Sequence, residues 1–91
     1  MLNIEATIRF EEELTTILDF IAQDNQNQAL KFYDELFKKI NILKDNPYIS
    51  RQREGLDTNY RELIFKGYTI PYWINNNTIF ILGIFNQNIW E

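Results

Sequence analysis

YTIPYWINNNTIFILGIF, residues 68–85, holds two runs rich in Ile, Phe, Tyr, Thr and Trp, split by Asn75-Asn76-Asn77. Runs of that composition on either side of an asparagine turn predict two antiparallel strands, 68–74 and 78–85. In the first, Tyr68, Ile70, Tyr72 and Ile74 share one face, and Thr69, Pro71 and Trp73 share the other. Pro71 has no N–H to give a ladder, so the strand either loses one hydrogen bond there or bulges. In the second, Ile79, Ile81, Gly83 and Phe85 alternate with Phe80, Leu82 and Ile84, leaving both faces apolar. Such a strand belongs inside a sheet, with helices on one face and something else shielding the other. If the chain does not supply that second cover, the face is where a partner segment would bind.

Upstream, Tyr60 to Lys66 reads as a further strand, joined to Tyr68 through Gly67, which makes a three-stranded meander. Residues Tyr48 to Asn59 hold no sustained period and predict an irregular crossing with at most a short extended piece. Before them, Ala29, Tyr33, Leu36, Phe37, Ile40 and Leu43 recur at helical spacing until Asn46-Pro47 stops the pattern. Phe10, Leu14, Ile17, Leu18 and Ile21 do the same, predicting a helix from about Glu11 to Asp24 with Glu11, Glu12 and Glu13 in its first turn, where the helix dipole favours negative charge. The polar run Gln23 to Gln28 predicts a tight helix-to-helix joint. Ile4 to Phe10 alternates as a short opening strand. The expected architecture is α+β, in the order β-α-α-β-β-β, with two antiparallel helices packed on one face of a mainly antiparallel twisted sheet.

Ninety-one residues, 45% of them hydrophobic and 15% aromatic, suit a single domain over 1–91 with a packed core. The chain has no cysteine and no histidine, which excludes disulfides, thiolate chemistry, the usual zinc ligands and every histidine-dependent triad. No metal or other cofactor is expected, and any catalysis would fall to carboxylate, Lys, Arg, Tyr or backbone. The Glu11-Glu12-Glu13 run is no metal site, since consecutive helical residues point in different directions. Neither a secretory start nor a membrane-length apolar run is present, so a cytoplasmic protein is expected. The formal net charge of −4 disfavours general nucleic-acid binding. The cations Lys38, Lys39, Lys44, Arg51, Arg53, Arg61 and Lys66 cluster in the middle of the chain, where any polyanion site would have to be assembled. Arg51 and Arg53, two apart, present two cations on one side of an extended segment, or else belong to a solvated loop. Tyr68 and Tyr72 read as core residues with hydrogen-bonded hydroxyls.

Three strings in this order resemble the RelE/ParE toxin superfamily: Ala29, Phe32-Tyr33 and Leu36 leading to Leu43-Lys44-Asp45-Asn46-Pro47; Tyr60-Arg61-Glu62-Leu63; and Tyr68 to Ile74 followed by Ile79 to Phe85. The resemblance spans nearly the whole chain. It implies a compact toxin of a type II toxin-antitoxin pair, neutralised by a cognate antitoxin that wraps it, and acting on DNA gyrase (ParE-like) or cleaving mRNA on the ribosome (RelE-like). It maps a family arginine onto Arg61, whose structural alternative is a surface ion pair with Glu62 or another carboxylate. If the chain is a ribonuclease, Arg61, Arg53 and Arg51 are its catalytic cations. Lys66, Phe85 and Trp90 are the candidate contacts to target or partner, with a plain turn role as the alternative for Lys66 and cover of the open sheet face for Trp90. The sequence departs from the pattern after Phe85: Asn86 to Glu91 carries no cation, which weakens the ribonuclease reading and favours a gyrase-directed toxin or an inactive, purely antitoxin-binding relative.

Overall fold

The computed structural model describes residues 2–86. Its elements are β1 (Asn3–Ala6), α1 (Ile8–Asp24), α2 (Gln26–Ile42), β2 (Arg51–Gln52), β3 (Tyr60–Phe65), β4 (Tyr68–Asn75) and β5 (Thr78–Ile81). The sheet order is β1-β5-β4-β3-β2; β1 lies parallel to β5 and every other pair is antiparallel. This is the α+β architecture expected from the sequence, with a two-residue strand added in the crossing segment.

The first departure is at the start of α1. The opening strand stops at Ala6 rather than Phe10, because Thr7 caps the helix: its Oγ1 accepts the Phe10 N–H at 3.2 Å. Phe10, 1% exposed, therefore belongs to the helical stripe with Leu14. Starting three residues early leaves only Glu11 of the three glutamates in the first turn. The joint is tighter than the polar run suggested. Asn25 alone ends one helix, giving its N–H to the Ile21 carbonyl at 3.0 Å, and starts the next, with Oδ1 accepting from the N–H groups of Asn27 and Gln28 at 2.9 and 3.2 Å. α2 likewise ends at Ile42, short of Asn46-Pro47, and the chain leaves it in turns.

Both helices cover one sheet face. Leu36, Ile40 and Leu43 pack with Phe10 and Leu14 on Leu63, Ile70, Tyr72, Ile79 and Ile81, and the Phe32 ring sits edge-on to Phe65 and Tyr68, with centroids 5.3 and 5.5 Å away. The row Tyr60, Trp73 and Phe80 runs across the opposite face. Trp73, Phe80 and Leu82 there are half-buried, while Ile8, Phe20, Leu30 and Ile49 on the helices and their connections are far more exposed. Among the described residues the most exposed apolar side chains are thus not on the second sheet face, although Ile64 on that face is 44% exposed.

The last strand also differs from the straight run expected over 78–85. β5 ends at Ile81. Leu82 still donates to the Pro71 carbonyl at 2.9 Å, but the next pairing is Phe85 with Thr69, through bonds of 2.7 and 3.0 Å. Residues 82–85 oppose only 69–71, so one residue is extra: a bulge at Gly83-Ile84. An inserted residue reverses facing. Ile84 enters the core at 2% exposure, and Phe85, expected on the face of Ile79 and Ile81, lies instead on the face of Thr69. The Ile84 N–H, taken out of the ladder, donates to Glu13 Oε1 of α1 at 3.1 Å.

Candidate functional site

β2 exists because its two residues pair with β3, Arg51 opposite Glu62 and Gln52 opposite Arg61. Directly opposed residues share a face, and residues two apart along a strand do so as well, so Arg51, Glu62 and Tyr60 come together on the face away from the helices, and Arg53 joins them. Glu62 is the only charged residue in the buried set among the described residues, at 2% exposure. An ionised carboxylate that deep costs several kcal/mol unless it is paired and hydrogen-bonded. Here it accepts from Arg51 Nη2 at 2.7 Å, from the Tyr60 hydroxyl at 3.1 Å and from Arg53 Nη1 at 3.5 Å. The two guanidiniums keep 60% and 56% of their side-chain surface in solvent. Water therefore screens the pairs, and their main consequence is orientation rather than stability.

Above them is a depression of about 340 Å³ lined by Arg51, Gln52, Arg53, Glu54, Glu62, Thr69 and Phe85. Arg51 and Arg53 are balanced in the lining by Glu62 and Glu54, so the depression has no net charge, and most guanidinium N–H groups are free of Glu62. The bulge after β5 is what brings Phe85 to the wall of this depression. Over Phe85 the surface continues into a second groove of about 460 Å³, largely apolar, with Ile17, Phe20, Tyr68 and Ile84 in its walls.

Arg61 is elsewhere. Its place on β3 opposite Tyr72 puts it on the helix-covered face, and its guanidinium donates to three backbone carbonyls, those of Thr58 (2.9 Å), Tyr48 (3.3 Å) and Ser50 (3.3 Å). It also lies 5.1 Å from the centre of the Tyr48 ring. These contacts tie the 48–58 crossing to β3, and the ion pair of Arg61 with Glu62 is not formed; Arg51 and Arg53 hold Glu62 instead. Lys66 occupies the left-handed position of the β3–β4 turn, φ 49°, followed by Gly67 at 83°. It pairs with Glu35 of α2, and its hydrogen bond holds the Glu35 carboxyl below its ordinary range. Lys66 thus fastens the hairpin to α2 and stands outside the arginine depression. Phe85 lines both grooves. Trp90 lies outside the described residues.

The sequence reading missed Tyr60 and Glu62 as members of the site. The signal was available: Tyr60-x-Glu62 and Arg51-x-Arg53 are each spaced two apart, and extended segments so spaced present matching faces.

Burial raises the Tyr60 hydroxyl above its usual value, and the Glu62 charge and hydrogen bond add to that. Burial likewise raises Tyr72, whose hydroxyl donates to the Pro47 carbonyl at 2.6 Å. Both phenols are neutral donors at neutral pH. Because the folded state holds these protons more tightly than the unfolded chain, their stabilisation is intact below about pH 10, the ordinary phenol value, and falls as pH rises through the raised values. The urea midpoint is therefore expected to decline above about pH 10, and Tyr72→Phe should flatten that decline while costing about 1 kcal/mol at pH 7 through the lost hydrogen bond. An alkaline slope unchanged in Tyr72→Phe would show that this phenol is not responsible.

Among the described residues no cluster of three or more acidic, Cys or His side chains is placed to hold a metal ion, and no helix is long and apolar enough to cross a membrane.

A helical hairpin on a mixed sheet of this order is the architecture of a RelE/ParE-like toxin. The chain belongs to the ParE family: residues 4–89 match the family model described as ParE toxin of type II toxin-antitoxin system, parDE. It is accordingly the toxin component of such a system, and the family implies a cognate antitoxin. The fold is similar to that of a chain in a solved structure titled "Chromosomal ParDE TA system from P. aeruginosa", with a TM-score of 0.75, 20% sequence identity, and coverage of 92% of this chain and 94% of that one. No curated protein shows significant sequence similarity.

Proposed function

We propose that this toxin arrests growth by acting on DNA gyrase in the cytoplasm, rather than by cutting mRNA, and that its antitoxin relieves the arrest. Membership of the ParE family supports the choice of target. The position of Arg61 is the observation that favours the first reading. Cleavage of RNA by its own 2′-hydroxyl needs a proton acceptor, a donor for the leaving oxygen, and cations gathered on the phosphorus oxygens. Arg61 faces the helices and gives its N–H groups to main-chain carbonyls, so it does not join Arg51 and Arg53 in the depression.

Controlled expression in bacteria, with and without the adjacent open reading frame, tests this reading when growth, plasmid topology and mRNA 5′ ends are scored together. Arrest with altered supercoiling or accumulated gyrase–DNA cleavage, unaltered mRNA ends, and rescue by the neighbouring gene product are expected. New mRNA ends with unchanged DNA topology would establish the ribonuclease instead, and binding of the antitoxin with no growth penalty would mark an inactive relative.

A further inference from the structure

We propose that the depression formed by Arg51 and Arg53 is a carboxylate-binding site for the cognate antitoxin, and that the apolar groove beyond Phe85 receives the hydrophobic residues beside that carboxylate. The inference rests on the reading of the chain as a toxin with a cognate antitoxin. A guanidinium fork matches the two oxygens of a carboxylate, and two forks side by side match it better than one. The forks are already set. Glu62, fixed by burial, takes one N–H from each arginine at 2.7 and 3.5 Å, and the remaining donors point outward from side chains that are more than half exposed. Holding the arginines in advance lowers the side-chain entropy lost when a ligand docks. Glu62 is therefore a positioning residue.

The same oxyanion chemistry could come from a nucleic-acid phosphate, but the surroundings favour a protein. The chain carries a net charge of −4, so a polyanion would meet repulsion at its neighbouring phosphates, whereas a single carboxylate needs only the two arginine forks to offset Glu54 in the lining. The arginine-lined depression and the apolar groove share Phe85 as a common wall. A phosphodiester backbone has nothing to bury in a groove of Ile17, Phe20, Tyr68 and Ile84. A peptide segment with an acidic residue flanked by apolar ones fills both.

The test uses the complete chain and the product of the adjacent antitoxin gene, purified together, separated and re-bound in a calorimeter. Arg53→Ala leaves Glu62 with Arg51 and Tyr60 and should fold with an unchanged melting point. It is expected to weaken antitoxin binding roughly tenfold, Arg53→Glu about a hundredfold, and Arg53→Lys less than Arg53→Ala. Phe20→Ala, at the 70% exposed groove wall, should weaken binding without altering its salt dependence, and Lys31→Ala, a residue that lines neither groove, should leave affinity as it was. A twelve-nucleotide single-stranded RNA and a duplex DNA of equal length are the competing probes, and no Arg53-dependent binding of either is expected. Arg53→Glu and Phe20→Ala binding the antitoxin as tightly as the parent chain would overturn the site alone, as would Arg53-dependent binding of either oligonucleotide without a change for the antitoxin. Failure of the parent chain to bind the antitoxin would instead remove the pairing on which the site depends.

Discussion

Leu36→Ala is expected to lower the melting temperature by roughly 10–30 °C and to abolish growth arrest at 37 °C, whereas Leu30→Ala on the same helix should melt within a few degrees of the parent. Leu36 is 0% exposed and sits where α2 meets the sheet; Leu30 is 65% exposed. Truncating a buried leucine costs about 2–5 kcal/mol in lost transfer energy and cavity formation. A domain of this size has only about 5–14 kcal/mol of stability in total. A surface truncation away from such features usually stays within about 0.5 kcal/mol. Thermal melts of the two variants, read by circular dichroism, provide the check. Equal melting temperatures would mean that the helical hairpin does not seal the core through Leu36, and that the sheet presenting Arg51 and Arg53 is held together by other contacts.

The contrast between Leu30 and Leu36 also marks what the sequence made legible. The period of Phe10, Leu14, Ile17, Leu18 and Ile21, and that of Ala29, Leu36, Ile40 and Leu43, located both helices because burying one stripe is the dominant favourable term for a short chain. Alternation in Tyr68 to Ile74 located β4 and its core face for the same reason. The boundaries were less legible. Ile4 to Phe10 satisfies a strand pattern throughout, yet one hydroxyl at Thr7, accepting the Phe10 N–H, converts its second half into helix. A period-two pattern cannot reveal a contest that a single capping bond decides. The bulge is a similar case: Thr78 to Phe85 alternates without interruption, and the inserted residue is accompanied by a tertiary hydrogen bond from the Ile84 N–H to Glu13 that no local pattern shows.

The candidate site was legible in composition and not in partnership. Arg51 and Arg53 do share a side, as their spacing allows, and Phe85 stands in the wall of the same depression. Arg61 was grouped with them because the family resemblance maps an arginine onto it, but its strand parity differs from that of Glu62 by one residue, which sends it to the helix-covered side of the sheet. Glu62 was read as a candidate partner of its neighbour, whereas the arginines that hold it lie eleven and nine residues away, in β2 and just after it. Cross-strand register, set by a two-residue strand, decides this, and no local pattern announces so short a strand.

Thr7→Val is expected to cost roughly 2–3 kcal/mol although valine has nearly the same shape, and Thr7→Ser should recover most of the loss. The Thr7 hydroxyl accepts the Phe10 N–H at 3.2 Å and is within bonding reach of the Ile81 and Leu82 carbonyls, at 2.8 and 3.2 Å. Removing a helix cap costs about 1 kcal/mol, and leaving a part-buried carbonyl without its donor costs about 1–3 kcal/mol. The second of these terms traces back to Pro71. Leu82 gives its N–H to the Pro71 carbonyl, and in an antiparallel pair the reciprocal donor to the Leu82 carbonyl would be the N–H of residue 71. Proline lacks it, and the threonine hydroxyl supplies a donor from the neighbouring strand end. If that is why β4 tolerates a proline in its middle, the two positions are coupled: in a Pro71→Ala background, which restores an N–H facing Leu82, Thr7→Val should cost about 0.5–1.5 kcal/mol less than it does in the parent chain. Urea unfolding of the four proteins in the cycle measures that difference. Strict additivity would mean that the Leu82 carbonyl is satisfied by other means, leaving Thr7 a role at the start of α1 only.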